Sequence, residues 1–211
     1  MRNSITDIQT NIMERAEAQF AEKGYEGTSV RDIADRADIN PAVIYYHFKS
    51  KEQLYKTIFT LRLTQLSDAL NHNIVDPSSS SFSKLSSYIT AYVKNIKENF
   101  FFHRLLNAEI FSFRDSFFKM NILDNVSANT AVFKGVLQEG ILRKEFRPLD
   151  IDLFLMALFH LLHQVVGRSP LASEILSIEE FPEEELLQRI SNFLFYLLYP
   201  LPAILTLPSE N

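Results

Sequence analysis

The chain has 211 residues with an ordinary globular composition, 46% hydrophobic and 22% charged, and its net charge is −5. It contains no cysteine, which excludes disulfides and thiolate metal sites and fits a reducing, cytoplasmic location. Its five glycines are too few for the turns of a β-sandwich or barrel, and no GxGxxG or GxxxxGK[ST] phosphate loop occurs.

Two strongly apolar runs occur, at 153–167 and 193–205. Each is shorter than the roughly 20 residues that a membrane-spanning helix needs. The first run contains two histidines and the second contains two prolines. The polar N-terminus does not resemble a signal peptide. We therefore expect a soluble protein that has no membrane partner.

The N-terminal part of the chain carries a clear helical pattern. Apolar residues recur every four positions and predict a first helix over 7–23: Ile8, Ile12, Ala16 and Phe20. Gly24 follows the last of them and is typical of a helix end. Ser29 and Asp32 have the spacing of a capping box, so a second helix is predicted to begin there.

A tight turn at Asp38 is predicted to end the second helix. Asn40 is a favourable N-cap, and Pro41 fits the first position of a short third helix that ends at Phe48. Because the net charge is negative, any nucleic-acid surface must be local, and the lysines that follow this helix supply a basic segment.

The remainder of the chain is also predicted to be helical. Ser50 and Gln53 repeat the capping-box spacing and open a fourth helix. Further helices are predicted at about 82–98, 100–113, 116–143, 150–166 and 183–199. No stretch alternates with period two, so we expect an all-α protein of about nine helices. We divide it into a helix-turn-helix DNA-binding domain at 1–50 and a helical ligand-binding and dimerisation domain at 51–211.

Residues 29–48 have the order of a helix-turn-helix. Ala34 is small where the two helices must cross, and an apolar seam surrounds it: Ile33, Ala37, Ile39 and Ile44. This pattern alone leaves a helical protein-interaction module or an enzyme as alternatives. An enzyme is disfavoured because the sequence has no GxSxG or HExxH motif and predicts no catalytic residues.

The segment from Gly24 to Leu54 closely resembles the N-terminal domain of TetR-family transcriptional regulators. The matching stretches are Gly24-Tyr25, Thr28 to Ala34, and Ile44 to Leu54 (IYYHFKSKEQL). The resemblance implies a homodimeric regulator, usually a repressor, whose C-terminal domain binds a small molecule that releases operator DNA. Asp38 stands where the family commonly has glycine. We expect the turn to survive, because aspartate tolerates left-handed backbone angles.

The resemblance also indicates which residues contact DNA. Tyr46, His47 and Lys51 match the family's phosphate contacts, and each can donate a hydrogen bond to a phosphate oxygen. Thr28 and Ser29 offer hydroxyls and amides at a helix N-terminus. Base readout is expected from the following residues: Arg31, Asn40, Pro41, Ala42, Val43 and Tyr45. The competing interpretation is that the tyrosines pack inside and the lysines form a solvated edge.

The helices predicted at 150–166 and 183–199 are apolar almost all round. A helix without a polar face must be buried on every side. We therefore expect these helices to pair with their symmetry mates in a homodimer, which is also what the resemblance implies. The alternative is a single large monomeric core.

The sequence contains 18 phenylalanines, many of them between Phe100 and Phe118. We expect some of them to line an apolar cavity for an apolar or aromatic effector, with histidines as its polar groups. The candidate lining residues are Phe59, Leu63, Leu66, Phe102, His103, Phe111, Phe117, His160, His163 and Gln164. His160 and His163 lack an evident third ligand, so neither a metal nor a cofactor is predicted. The predicted function is that of a sequence-specific DNA-binding repressor, which a small apolar or aromatic effector releases from a palindromic operator.

Overall fold

A computed structural model describes residues 7–71, 76, 78–110, 116–167, 169–176 and 182–199. Within these ranges the chain forms ten helices and no strand, which confirms the all-α prediction. The helices are α1 (Asp7–Lys23), α2 (Val30–Ala37), α3 (Pro41–Phe48), α4 (Lys51–Asn71), α5 (Ser81–Glu98), α6 (Phe100–Ile110), α7 (Ser116–Leu142), α8 (Ile151–Val166), α9 (Pro170–Leu176) and α10 (Glu183–Leu198). In the described part of the chain, no helix combines the length and apolarity needed to cross a membrane.

Helix α9 lies between the helices predicted at 150–166 and 183–199 and is not itself predicted from the sequence. In the structure the Ser169 hydroxyl accepts a hydrogen bond from the Ala172 amide at 3.1 Å, and Pro170 is the first helical residue. A helix of seven residues makes fewer than two turns, so its apolar residues cannot repeat often enough to show a helical period in the sequence. The same chemistry, an N-cap followed by proline, was recognised correctly at α3.

The chain forms two compact units. Unit 1 contains the described parts of 1–68 and 96–127, and unit 2 contains those of 69–95 and 128–211. Unit 1 therefore adds most of α4, all of α6 and part of α7 to the three helices predicted as the DNA-binding domain. The functional boundary at residue 50 stays a prediction.

The core of unit 1 is shared by the helix-turn-helix and α6. Ile33 and Ala34 are 0% exposed on α2, as the crossing of two helices requires. The most deeply buried rings in this core are Phe20, Phe59 and Phe102, each at most 1% exposed. Burying one such ring stabilises the fold by about 1.5–3 kcal/mol. Displacing α6 would therefore disturb the same core that supports α2 and α3.

Unit 2 has a separate aromatic core. The ring centroids of Tyr92, Phe133 and Phe159 lie 5.1 to 6.0 Å apart. On α7, a Cβ atom at Gly140 would lie 2.2 Å from the ring of Phe146, so only glycine fits there. These contacts give unit 2 a packed interior of its own.

Candidate nucleic-acid interface

The start of α2 is fixed by the predicted capping box. The Ser29 hydroxyl accepts from the Asp32 amide at 3.1 Å, and the Asp32 carboxylate accepts from the Ser29 amide at 2.9 Å. Hydrogen bonds from the Ser29 side chain and backbone hold the pKa of Asp32 below its usual value. Reciprocal capping satisfies two amides that would otherwise be unpaired, and it sets the residue at which the helix begins.

The turn between α2 and α3 depends on Asp38 in a left-handed conformation, with φ 54° and ψ 48°. The Ile39 amide donates to the Ala34 carbonyl oxygen at 3.0 Å, and the Asp38 amide donates to the same carbonyl and to that of Asp35. These bonds satisfy the last carbonyls of α2. The turn therefore forms with aspartate in place of glycine, as the sequence predicted.

Helix α3 begins at Pro41, and the Asn40 side-chain oxygen accepts from the Ala42 amide at 2.8 Å. Ile44 and Phe48 turn inward and are 1% and 4% exposed. The opposite face carries Ala42, Tyr45 and Tyr46, which have the three- and four-residue spacing of helical neighbours.

The exposure of these residues tests the interpretation that the tyrosines pack inside. Tyr45 is 51% exposed and Tyr46 is 77% exposed, so neither is a core residue. His47 is half-buried, and its ring lies 5.0 Å from that of Tyr46. Pro41 and Val43 are also half-buried, and Val43 packs against the core of unit 1. Ala42 and the two tyrosines are therefore the most accessible of the predicted contacts on α3.

Two arginines on α2 have different surroundings. Arg36 forms a bidentate ion pair with Glu22 of α1, at 2.7 and 3.0 Å, and this pair lowers the pKa of Glu22. Arg31 is exposed and forms no hydrogen bond or ion pair with any residue that the structure describes. Arg31 is therefore available for DNA, whereas Arg36 links two helices.

Thr28 differs from its expected role. Its side chain is 1% exposed, and its hydroxyl donates to the carbonyl oxygens of Gly24 at 2.8 Å and Gln19 at 3.2 Å. The hydroxyl is turned inward, away from any phosphate, and it closes the loop after α1. Ser29 beside it is exposed. Sequence reasoning grouped these two residues because their hydroxyls are adjacent in the chain and not because they share a surface.

Lys51 also has a structural role that the sequence did not reveal. Its ammonium group donates to the carbonyl oxygens of Tyr25 and Thr28, both at 2.9 Å, and lies 4.2 Å from the centroid of the Tyr25 ring. An ammonium has three N–H groups, so one remains for a phosphate. Lys49, at the end of α3, is exposed with φ 68°.

The predicted effector residues fall into two groups. In unit 1, four of them are buried with 0% to 3% exposure: Phe59, Leu63, Leu66 and Phe102. The rings of Phe59 and Phe102 pack 5.5 Å apart. His103 is 2% exposed on the same helix as Phe102. Phe111 lies outside the described residues, as does the side chain of Phe117.

In unit 2, His163 and Tyr92 form a hydrogen-bonded pair, with 3.0 Å between the Nε2 atom and the hydroxyl oxygen. Burial lowers the pKa of His163 to about 4, and the positive charge of nearby His160 contributes to the same shift. Burial also raises the pKa of Tyr92. His160 is exposed and Gln164 is half-buried. Among the described residues, no group of three metal-ligating side chains comes together.

Comparisons with known proteins agree with this geometry. Residues 12–58 match the profile of the family described as bacterial regulatory proteins, tetR family. The HTH-type transcriptional repressor KstR2 of Mycolicibacterium smegmatis is 32% identical over 150 residues, which cover 67% of this chain and 69% of that protein.

Two solved structures have the same fold. A tetR-family regulatory protein from Rhodococcus RHA1 superposes with a TM-score of 0.77 at 24% identity, covering 93% of this chain and 100% of that one. The structure described as the ketosteroid transcriptional regulator KstR2 of Mycobacterium tuberculosis superposes with a TM-score of 0.75 at 23% identity, covering 94% and 98%. These likenesses extend over both units of this chain.

Proposed function

The chain belongs to the tetR family of bacterial regulatory proteins, which are DNA-binding transcriptional regulators and not enzymes, and its relative KstR2 is a repressor. On that premise we propose that it is a homodimeric repressor of a palindromic operator, released by a small apolar effector. The DNA-binding part of the proposal rests on one observation, the exposed outer face of α3. The two helices that flank the Asp38 turn, α2 and α3, both have N-caps, which fix where this face begins.

Base contacts are proposed for the side chains that remain free at this face. The Arg31 guanidinium, which pairs with none of the described residues, suits a guanine edge. Asn40 uses its side-chain oxygen for the cap, so its amide group remains to donate to a base or phosphate. Ala42 and Tyr45 are exposed and lie about one turn apart on α3, and the less accessible Pro41 and Val43 lie beside them.

Phosphate contacts are proposed for the groups at the edges of the motif. Ser29 is exposed at the N-terminus of α2, where the positive end of the helix dipole favours an anion. Tyr46 and His47 lie at the end of α3, and the Tyr46 hydroxyl belongs to the most exposed ring of that helix. Lys51 contributes its remaining N–H, and the burial of Thr28 removes its hydroxyl from this set.

The homodimer is supported by apolar side chains that unit 2 leaves exposed. On α8, Leu153 is 64% and Met156 is 70% exposed. On α10, Phe193, Phe195 and Tyr196 are 47%, 48% and 70% exposed. Several large apolar side chains left exposed on two helices are typical of a protein interface. A second copy of the chain is proposed to cover it, since a two-fold axis brings the same two helices together with their mates.

The proposed effector is an apolar molecule with few polar groups. Unit 2 contains a cluster of aromatic rings around Tyr92, Phe133 and Phe159, and its hydrogen-bonding groups are Tyr92 and the neutral His163. The relative whose structure superposes over most of the chain is described as a ketosteroid regulator. A rigid ligand of that chemistry, with a carbonyl or hydroxyl to orient it, matches the chemical character of these groups.

The proposed function is tested by selecting DNA from a pool of random duplexes with the purified protein. We expect an inverted repeat whose half-sites are spaced by about one helical turn, roughly 34–36 Å, or somewhat more. Ala42→Glu places a carboxylate on the exposed face of α3 and is expected to abolish the selection. Enrichment of no sequence by the wild-type protein, or equal enrichment by the variant, would contradict the proposal.

A further inference from the structure

Helix α1 carries a buried carboxylate that faces two other helices. Glu17 is 4% exposed, and its Oε2 atom accepts from Nε of Arg62 on α4 at 2.8 Å. The backbone amide of Phe102, in the first turn of α6, donates to the same carboxylate. Burial raises the pKa of this carboxyl, while the hydrogen bonds from Arg62 and Phe102 act in the opposite direction and offset part of the cost of burying it.

The Phe102 amide belongs to a helix end that needs a partner. The first hydrogen bond within α6 runs from the His103 amide to the Asn99 carbonyl, at 3.1 Å. The amides before His103 therefore have no partner within the helix. Glu17 supplies an acceptor from α1 where a capping side chain would ordinarily stand, and its negative charge complements the positive end of the helix dipole.

The far end of α6 is attached to the DNA-binding unit as well. The Tyr55 hydroxyl of α4 donates to a carboxylate oxygen of Glu109 at 3.0 Å, and both residues are buried. Between the two ends, Phe102 packs on Phe59 at a centroid distance of 5.5 Å. Helix α6 is thus held at both ends by polar contacts and along its length by the core of unit 1. It cannot move without moving α1 or α4, or breaking a buried bond.

We propose that Glu17 is the positioning residue through which the orientation of α6 is coupled to the helix-turn-helix. Its carboxylate holds the first turn of α6 to α1 and, through Arg62, to α4. Helix α1 in turn supports α2, so a displacement of α6 changes the orientation of α2 and α3 by way of α1. This inference rests on the proposed function, because it assigns the route by which an effector acts on operator binding.

The coupling is reciprocal by thermodynamic necessity. If α6 controls the geometry of the helix-turn-helix, DNA that fixes this geometry must also stabilise the first turn of α6. Hydrogen exchange of the amides of residues 100–104 therefore reports the coupling without knowledge of the effector. The probe is the duplex selected by the wild-type protein from the random pool.

Hydrogen exchange is measured on the full chain with and without that duplex, for the wild type, Glu17→Gln and Asp7→Asn. Asp7 is exposed in the first turn of the same helix, ten residues before Glu17, so its variant is the matched control. We expect the duplex to slow exchange at 100–104 about fivefold or more in the wild type and the control. In Glu17→Gln we expect that slowing to be lost while the helix content remains native. If Glu17→Gln does not fold, Arg62→Gln replaces it with the same expectation.

Two results would overturn the coupling while leaving the proposed function intact. One is a duplex that binds but does not slow exchange at 100–104 in the wild type. The other is equal slowing in all three proteins, or loss of the slowing in the control variant as well as in Glu17→Gln. Neither outcome singles out Glu17, so either one would leave it with a merely structural role. If no duplex is selected, the proposed function fails and the coupling fails with it.

Discussion

The ammonium group of Lys51, at the start of α4, donates a hydrogen bond to the carbonyl oxygen of Thr28 at 2.9 Å. The same group holds the Tyr25 carbonyl at the same distance. Because α2 begins directly after Thr28 and Ser29, this contact sets where α2 lies relative to α4. Lys51, which was expected only to contact DNA, thus also holds the start of α2, the helix that carries Arg31.

The two roles of Lys51 are separated by comparing Lys51→Ala with Lys49→Ala. Removing Lys51 leaves two carbonyl groups without a charged donor, so we expect a loss of about 1.5–3 kcal/mol in the free energy of unfolding and weaker binding to every duplex. Lys49 is exposed, so its removal is expected to leave stability unchanged and, if it contacts phosphate, to lower the salt dependence of binding by about one unit. Equal unfolding free energies for the two variants would contradict the anchoring role.

Arg31 is expected to recognise a base. Arg31→Ala should cost about 1–3 kcal/mol in operator binding and relax the preference at one position in each half-site. Arg36→Ala is the control on the same helix, because Arg36 is held by Glu22 and does not face DNA in this account. Binding measured across single-base variants of the selected duplex distinguishes them. An unchanged base preference in Arg31→Ala would show that this side chain contacts only phosphate.

Asp38 is held in a left-handed conformation that glycine adopts without strain. We expect Asp38→Gly to raise the free energy of unfolding by up to about 1 kcal/mol and Asp38→Val to lower it by more than that. Asp38→Asn keeps the tolerance for this conformation and removes the charge, so it separates the two effects. Chemical denaturation measures all three. A stabilising valine would mean that the turn changes conformation.

The stability of unit 2 is expected to depend on His163. Its pKa is lowered to about 4 in the folded protein from an ordinary value of 6.5. The neutral ring therefore contributes stability that is fully present above pH 6.5 and is lost as the pH falls toward 4, by up to about 3 kcal/mol. His163→Gln cannot titrate, so its unfolding free energy should fall less than that of the wild type over this range.

The control for this pH dependence is His160→Gln, on the exposed side of the same helix. It should retain most of the wild-type loss of stability between pH 7.5 and 4.5, because burial is the larger cause of the lowered pKa of His163 and the charge of His160 only adds to it. A wild-type curve that coincides with that of His163→Gln would contradict the burial of a neutral histidine.

Local chemistry was predictable from the sequence, and distant contacts were not. The caps at Ser29 and Asn40 and the turn at Asp38 involve residues at most a few positions apart, so their spacing is visible in the chain. The bonds from Lys51 to Tyr25 and from Arg62 to Glu17 join residues 26 and 45 positions apart. Such pairs depend on how the helices pack, and no periodicity indicates them.

Burial of hydroxyls and rings was the second limit of sequence reasoning. Thr28 and Ser29 have similar side chains, yet one is buried and the other exposed, since one follows a loop that folds back on α1. Phe59 and Phe102 were interpreted as cavity residues because aromatic composition does not separate a cavity wall from a closed core. The structure packs these two rings against each other.

The central claim is that two copies of the helix-turn-helix bind one palindromic duplex. Sedimentation or light scattering of the protein with the selected duplex, and with a duplex in which one half-site is scrambled, tests it most directly. We expect a free protein of about twice 24.4 kDa, two chains on each palindrome, and about a hundredfold or greater loss of affinity on scrambling. A single chain that binds both duplexes with equal affinity would contradict it.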